Sequence, residues 1–257
     1  MDYKNGSETD AKSAGLTKQT TIEAPVFFSV CPSYIIMIQK KITRNNIILL
    51  ICLLVIILFF PVLSFHRVLI KNILFTAIVL FGPFSLDFAK RAQKILIASG
   101  AVTICLTWLD YLFPSHGLDF VNAFSFFFFN LFILVFMIKH IANSERVNVT
   151  IIINSINGYL LIGILGSVLL AMSEILQKFL YHLDTGAINF SGGPAQGFHD
   201  FLYFSFVTLT TLGYGDVTPV SAFAKSVTLI IAVSGQLYLT ILIAMLVGKF
   251  LSRTESY

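Results

Sequence analysis

The sequence is short of charge. Lys, Arg, Asp and Glu together make up 12% of its 257 residues, where soluble domains carry about 25%. That shortage excludes an ordinary water-facing surface. Cysteine is scarce too. Cys31, Cys52 and Cys105 are the full set, and two of them lie inside apolar runs, so no disulfide framework is indicated and each reads as a small apolar filler. No metal-ligand spacing, no nucleophile placed beside a base and no phosphate-binding loop occurs, which leaves no candidate for catalysis, metal or cofactor. No segment repeats. Residues 1–24 have no apolar period and read as a disordered tail. No apolar core follows an early basic region, so the start is not read as a signal peptide. The net charge of +4 is spread thinly and suggests no nucleic-acid partner.

What the chain has instead is apolar length. It is 56% hydrophobic with a mean hydropathy of +0.86, the mark of an all-α, multi-pass membrane protein whose partner is the lipid bilayer. Six transmembrane helices are expected, at about Ile47–Leu63, Val68–Leu86, Ile95–Phe113, Phe120–Ile138, Gly158–Leu180 and Ala222–Leu251. The apolar stretch 198–210 is too short to cross. The expected division is a cytoplasmic tail over 1–46, with an interfacial segment near 25–38, then a four-helix region over 47–141 and a connector over 142–157. A second membrane unit follows over 158–252, then a short tail over 253–257. That tail is too small for a soluble regulatory domain. Lys71 reads as snorkelling to headgroups, and Trp108, Asp110 and Tyr111 as an interfacial girdle. Asn122 and Asn130 read as interhelical hydrogen-bond formers.

Basic residues decide the orientation. Lys40, Lys41, Arg44, Lys90, Arg91, Lys94, Lys139, Arg146, Lys249 and Arg253 fall on one side of the expected spans. Only Arg67, Lys71, Lys178 and Lys225 fall on the other. The positive-inside rule then puts both termini in the cytoplasm of a cell-membrane protein.

The run Thr210-Thr211-Leu212-Gly213-Tyr214-Gly215-Asp216 lies between the last two apolar segments, on the outer side. Gly213 and Gly215 have no Cβ and can take positive φ. Alternating them with ordinary residues turns successive carbonyls toward one axis. Thr211 offers a hydroxyl and a carbonyl, and Asp216 leaves a carboxylate at the mouth. This run resembles the selectivity filter of tetrameric potassium channels, in which four such loops replace an ion's water shell. The resemblance covers residues 158–250 and is of the prokaryotic, six-span type.

The resemblance implies a homotetramer with one filter per chain, a re-entrant pore helix over about 203–210, and potassium bound at Thr211, Leu212, Gly213, Tyr214 and Gly215. Potassium is the permeant ion, not a cofactor. Tyr214 is expected to turn its ring from the axis and hold the opening to size. Thr210, Tyr203, Asp216 and Glu174 are implied as filter support, and Gly235 as the inner-helix hinge, with close packing as its other reading. Tyr203 and Phe204 stand where many relatives keep paired tryptophans, and Val207 where some keep a glutamate. The bracing behind the filter is therefore expected to fall on a Tyr203–Asp216 hydrogen bond. The fourth span has no Arg or Lys between Phe120 and Ile138, so passive conduction with weak voltage dependence is expected. A pore subunit of a coupled potassium-uptake system and a weakly selective cation channel are the alternatives. The single filter and the retained Tyr214 argue against them.

Overall fold

The computed structural model describes residues 32–59, 67–85, 90–144, 148–181, 186–191 and 197–254. Seven helices account for most of them: α1 Pro32–Leu58, α2 Arg67–Phe81, α3 Lys90–Leu112, α4 His116–Asn143, α5 Val149–Tyr181, α6 Phe198–Leu209 and α7 Ala222–Thr254. A 3₁₀ turn, Gly82–Phe84, extends α2. Two three-residue strands, β1 Ile188–Phe190 and β2 Val217–Pro219, pair antiparallel with Asn189 opposite Thr218. The all-α expectation missed this ribbon.

Five helices are long and apolar enough to cross a membrane: Lys41–Leu58, Arg91–Leu112, Gly117–Asn143, Val149–Gln177 and Ala222–Lys249. The second expected span is shorter. α2 has 15 residues, about 22 Å at 1.5 Å per residue. Its 3₁₀ turn adds about 6 Å, just under the roughly 30 Å of a hydrocarbon core.

Two other boundaries moved. α1 begins at Pro32, well before the expected Ile47, because no helix breaker interrupts the chain from there to Leu58. Proline at a helix start loses no intrahelical bond. Residues 1–31 lie outside the described residues, and with them most of the expected tail and Cys31. The 142–157 connector is mostly helix. Its polar residues look like a loop, but the contact with α1 satisfies several of them. Asn157 donates its side-chain amide to the Asn46 carbonyl at 3.1 Å, and the Thr43 and Thr150 hydroxyls meet at 2.7 Å. Asn148 caps α5 by accepting from the Ile151 N–H at 2.9 Å.

The larger core sits where α1, α2, α4 and α5 meet. Leu49, Leu53, Ile56, Ile78, Phe126, Phe129, Ile133, Met137, Leu161 and Ile164 are all nearly or fully buried in it. α5 is the shared post, touching α1, α4, α6 and α7. A second core of Leu170, Ile188, Phe201, Phe204, Leu209, Val227 and Ile231 fastens α6 between α5 and α7. Of the two expected polar bridges, Asn122 does reach α3, accepting from the Thr107 hydroxyl at 2.9 Å. Asn130 instead turns its amide N–H back to the Phe126 carbonyl of its own helix at 2.8 Å. At the far end of the bundle, the Lys249 ammonium of α7 donates to the Ile141 and Ala142 carbonyls at 2.7 and 3.0 Å. This caps the last turn of α4, where the helix dipole favours a cation.

The α5–α6 contact is tight at Gly163, where an added Cβ would fall into the Phe206 ring. Gly163→Val is expected to cost about 1–3 kcal/mol by overpacking, read as a lower melting temperature of the purified protein. Gly117→Ala, where the Cβ meets nothing within 4 Å, is the control expected to leave it unchanged.

Candidate functional site

Helix α6 runs from Phe198 to Leu209 and stops at Thr210. The Thr210 N–H still bonds the Phe206 carbonyl at 3.0 Å, and its hydroxyl bonds the same oxygen at 2.7 Å. The chain then turns back on itself. Thr211 takes φ 60°, Gly213 φ 55° and Gly215 φ 80°. Every second residue is therefore left-handed. Glycine adopts that conformation freely, whereas Thr211 is strained by about 1–2 kcal/mol.

Hydrogen bonds offset the strain. The Thr211 N–H donates to the Thr208 carbonyl at 3.0 Å. The Leu212 and Gly213 N–H groups both donate to the Val207 carbonyl, at 3.0 and 3.3 Å. With those N–H groups drawn back to α6, the carbonyls of the same peptides face away from it. Residues 210–216 are all exposed on the single chain, including Tyr214 at 67%. The C-terminal end of α6, with its partial negative charge, sits directly behind this loop. An exposed loop with a helix C-terminus behind it is a place that favours a cation.

The loop is pinned beyond Gly215. The Tyr203 hydroxyl donates to Asp216 Oδ2 at 2.7 Å, the Val217 N–H donates to Oδ1 at 3.1 Å, and the Ser191 N–H donates to the Asp216 carbonyl at 3.2 Å. The β1–β2 ribbon follows. Glu174, half-buried near the end of α5, accepts from the Ala187 N–H at 2.7 Å. The Ala187 carbonyl in turn accepts from Val220 at 2.9 Å and Ser221 at 3.1 Å. Ser221 then caps α7 by accepting from the Ala224 N–H at 3.1 Å. Glu174 thus reaches the segment after residues 210–216 through one intermediate residue.

Gly235 sits where α7 crosses the end of α6. A Cβ there would stand 2.5 Å from the Leu209 carbonyl oxygen, and α7 is continuous through it. Close approach is what the structure gives this glycine. Two participants were missed from sequence. The Val207 side chain drew attention, but its carbonyl does the holding. Ala187 carries no chemical signal at all. Among the described residues, no group of three or more His, Cys, Asp and Glu stands close enough to hold a metal.

Residues 168–252 match a family model described as "Ion channel". This stretch is an ion channel domain. A curated protein, two-pore potassium channel 4 of Arabidopsis thaliana, is 37% identical over 67 residues, which are 26% of this chain and 24% of that protein. The chain thus matches about a quarter of that relative's length. No solved structure matches. The family match begins at α5 and ends in α7, and so takes in the turned loop, the ribbon and Gly235. Together the domain and the relative support a potassium channel family for this part of the chain.

Two predictions follow from this geometry. The hydrogen bond to Asp216 pushes the Tyr203 phenol up to about 12 from an ordinary 10.0. A raised value means that the protonated phenol is favoured by the fold. The bond therefore contributes fully below pH 10 and is lost as pH rises through about 12. Subtracting the alkaline absorbance titration of Tyr203→Phe from that of the wild type is expected to leave one phenolate step near 12, and a step at 10 would refute the bond. For the ion channel domain's Gly235, replacement by Ala should lower the melting temperature, as about 1–3 kcal/mol of overpacking requires. A glycine kept only for bending would instead gain about 0.5–1 kcal/mol on the same change.

Proposed function

We propose that the protein is a potassium-selective channel in which four copies of the chain place Thr211, Leu212, Gly213, Tyr214 and Gly215 around one axis. The observation that carries this is the alternation of left-handed backbone at Thr211, Gly213 and Gly215 with ordinary residues between them. Such alternation turns successive carbonyls to one side, and a stack of carbonyl rings replaces a hydration shell. One chain supplies one wall of such a stack. The exposure of residues 210–216, and of Leu229, Ile230, Val233, Leu237 and Ile241 along α7, supports covering by further copies and lipid. In the tetramer Tyr214 packs sideways between neighbouring walls, and Tyr203, Thr210, Asp216 and Glu174 keep the loop from widening.

Six spans with both termini in the cytoplasm of a cell-membrane protein complete this reading, with α2 crossing at minimal length. Conduction is passive and needs no cofactor. α4 has no Arg or Lys from Phe120 to Ile138. A charge crossing the field contributes about 2.3 kcal/mol per 100 mV, so this helix has no electrical lever and conductance varies little with voltage.

Liposomes holding the purified chain, with no energy source, test the proposal. Rubidium is expected to enter far faster than sodium, and Gly213→Ala is expected to abolish that entry. Crosslinking should trap a tetramer, and recorded conductance should rise only shallowly with voltage. Equal entry of sodium and rubidium would end the potassium reading in favour of a weakly selective pore. Rubidium entry that appears only when an energy source is supplied would favour coupled uptake.

A further inference from the structure

A cavity of about 290 Å³ opens between α2, α3 and α4 on one side and α5 and the start of α6 on the other. Its polar wall is Lys71, Asp110, Asp119 and Asn122. Lys71, expected to snorkel, and Asp110, expected in an interfacial girdle, are thereby grouped although far apart in sequence. Asp110 and Asp119, from different helices, line the same wall. Like charges gathered on one wall disfavour each other unless positive charge stands near them. Lys71 lines it too, but among the described residues it forms no ion pair with either. Asp110 Oδ1 is closed off from solvent and has no hydrogen-bond partner, and Oδ2 receives only a long contact from the Asn122 amide at 3.5 Å. Glu174 also borders the space, but its Oε2 is taken by the Ala187 N–H. By formal charge the lining sets Asp110, Asp119 and Glu174 against Lys71 alone, so it is short of positive charge.

The opposite wall is aromatic. Phe75 stacks on Phe126 with ring centroids 4.1 Å apart, and Phe198 meets Phe75 edge-on at 5.3 Å. Such rings suit an apolar body, and their faces attract an ammonium. Ala123, Ala171 and Gly197 leave the space between the walls open. A metal dication fits poorly here. The described residues hold no triad of ligating side chains, and the Lys71 ammonium repels it.

We propose that this cavity binds a small primary amine with an apolar body, of the arylalkylamine class. Its ammonium sits at Asp110 and Asp119 and its body lies on Phe75 and Phe126. The occupant bridges the first four helices and α6. The proposal does not depend on which ion the domain conducts.

The probe is phenethylamine, titrated into the purified full chain. The readout is the fluorescence of Trp108, which is the sole tryptophan, two residues before Asp110 on α3. A saturable change is expected. Binding should weaken at least about tenfold, a loss of about 1.4 kcal/mol, with uncharged 2-phenylethanol or in Asp119→Asn. Asp119 is exposed, so that variant is expected to keep its fold, and circular dichroism checks that it does. Asp110→Asn gives an independent second loss. An unsaturable response, or equal affinity for the alcohol or in both variants, marks partition into the apolar phase and overturns the site. Tighter binding of 3-phenylpropionate that is lost in Lys71→Gln would make it an anion site. Displacement of phenethylamine by millimolar calcium would make it a metal site. Either result refutes the proposal.

Discussion

A single carbonyl oxygen, that of Val207, accepts the N–H groups of Leu212 and Gly213. A peptide is planar, so an N–H turned one way sends its carbonyl the other. Holding two N–H groups against α6 therefore aims oxygens outward, and no side chain has to be involved. The same oxygen is one of the last carbonyls of α6, which have no partner within the helix. The helix end and the loop thus satisfy each other. Val207 is buried at 8% exposure, on a helix whose neighbours Phe204 and Leu209 are fastened into the core between α5 and α7.

The loop is held at its far end by a different kind of contact. Asp216 accepts a hydrogen bond from the Tyr203 phenol on α6, while the ribbon beyond it is tied through Ala187 to Glu174 on α5. The two ties come from different helices and end on different residues. Their shared feature is a charged acceptor, which gives hydrogen bonds roughly twice the strength of neutral ones. A strained residue persists only where its surroundings over-determine it. Thr211 is bracketed by α6 on one side and by these two ties on the other.

Much of the ion channel domain was legible in the sequence because its rules are local. Gly213 and Gly215 mark positive φ by their lack of a Cβ, and a short apolar segment before them marks a helix that stops. The Tyr203–Asp216 contact was legible because a missing glutamate at Val207 left the carboxylate in need of a donor. What escaped depended on distant partners. Thr150 and Asn157 look like loop residues until α1 meets them. Lys71 and Asp110 look like residues of the bilayer surface until α2, α3 and α4 bring them to one wall. The ribbon escaped because three residues are too few for alternation to register, and its two halves lie on either side of residues 198–216. Gly235 could be read as a bend or as a contact, and only the position of the Leu209 oxygen separates the two.

Lys249 gives the first four helices a mechanical hold on the last one. Its ammonium grips the final carbonyls of α4 from the tip of α7 within one chain. Splaying that tip outward either tears two charge-assisted bonds or tows the base of α4 along. The two parts are geared together at that end, so a displacement of either is felt by the other.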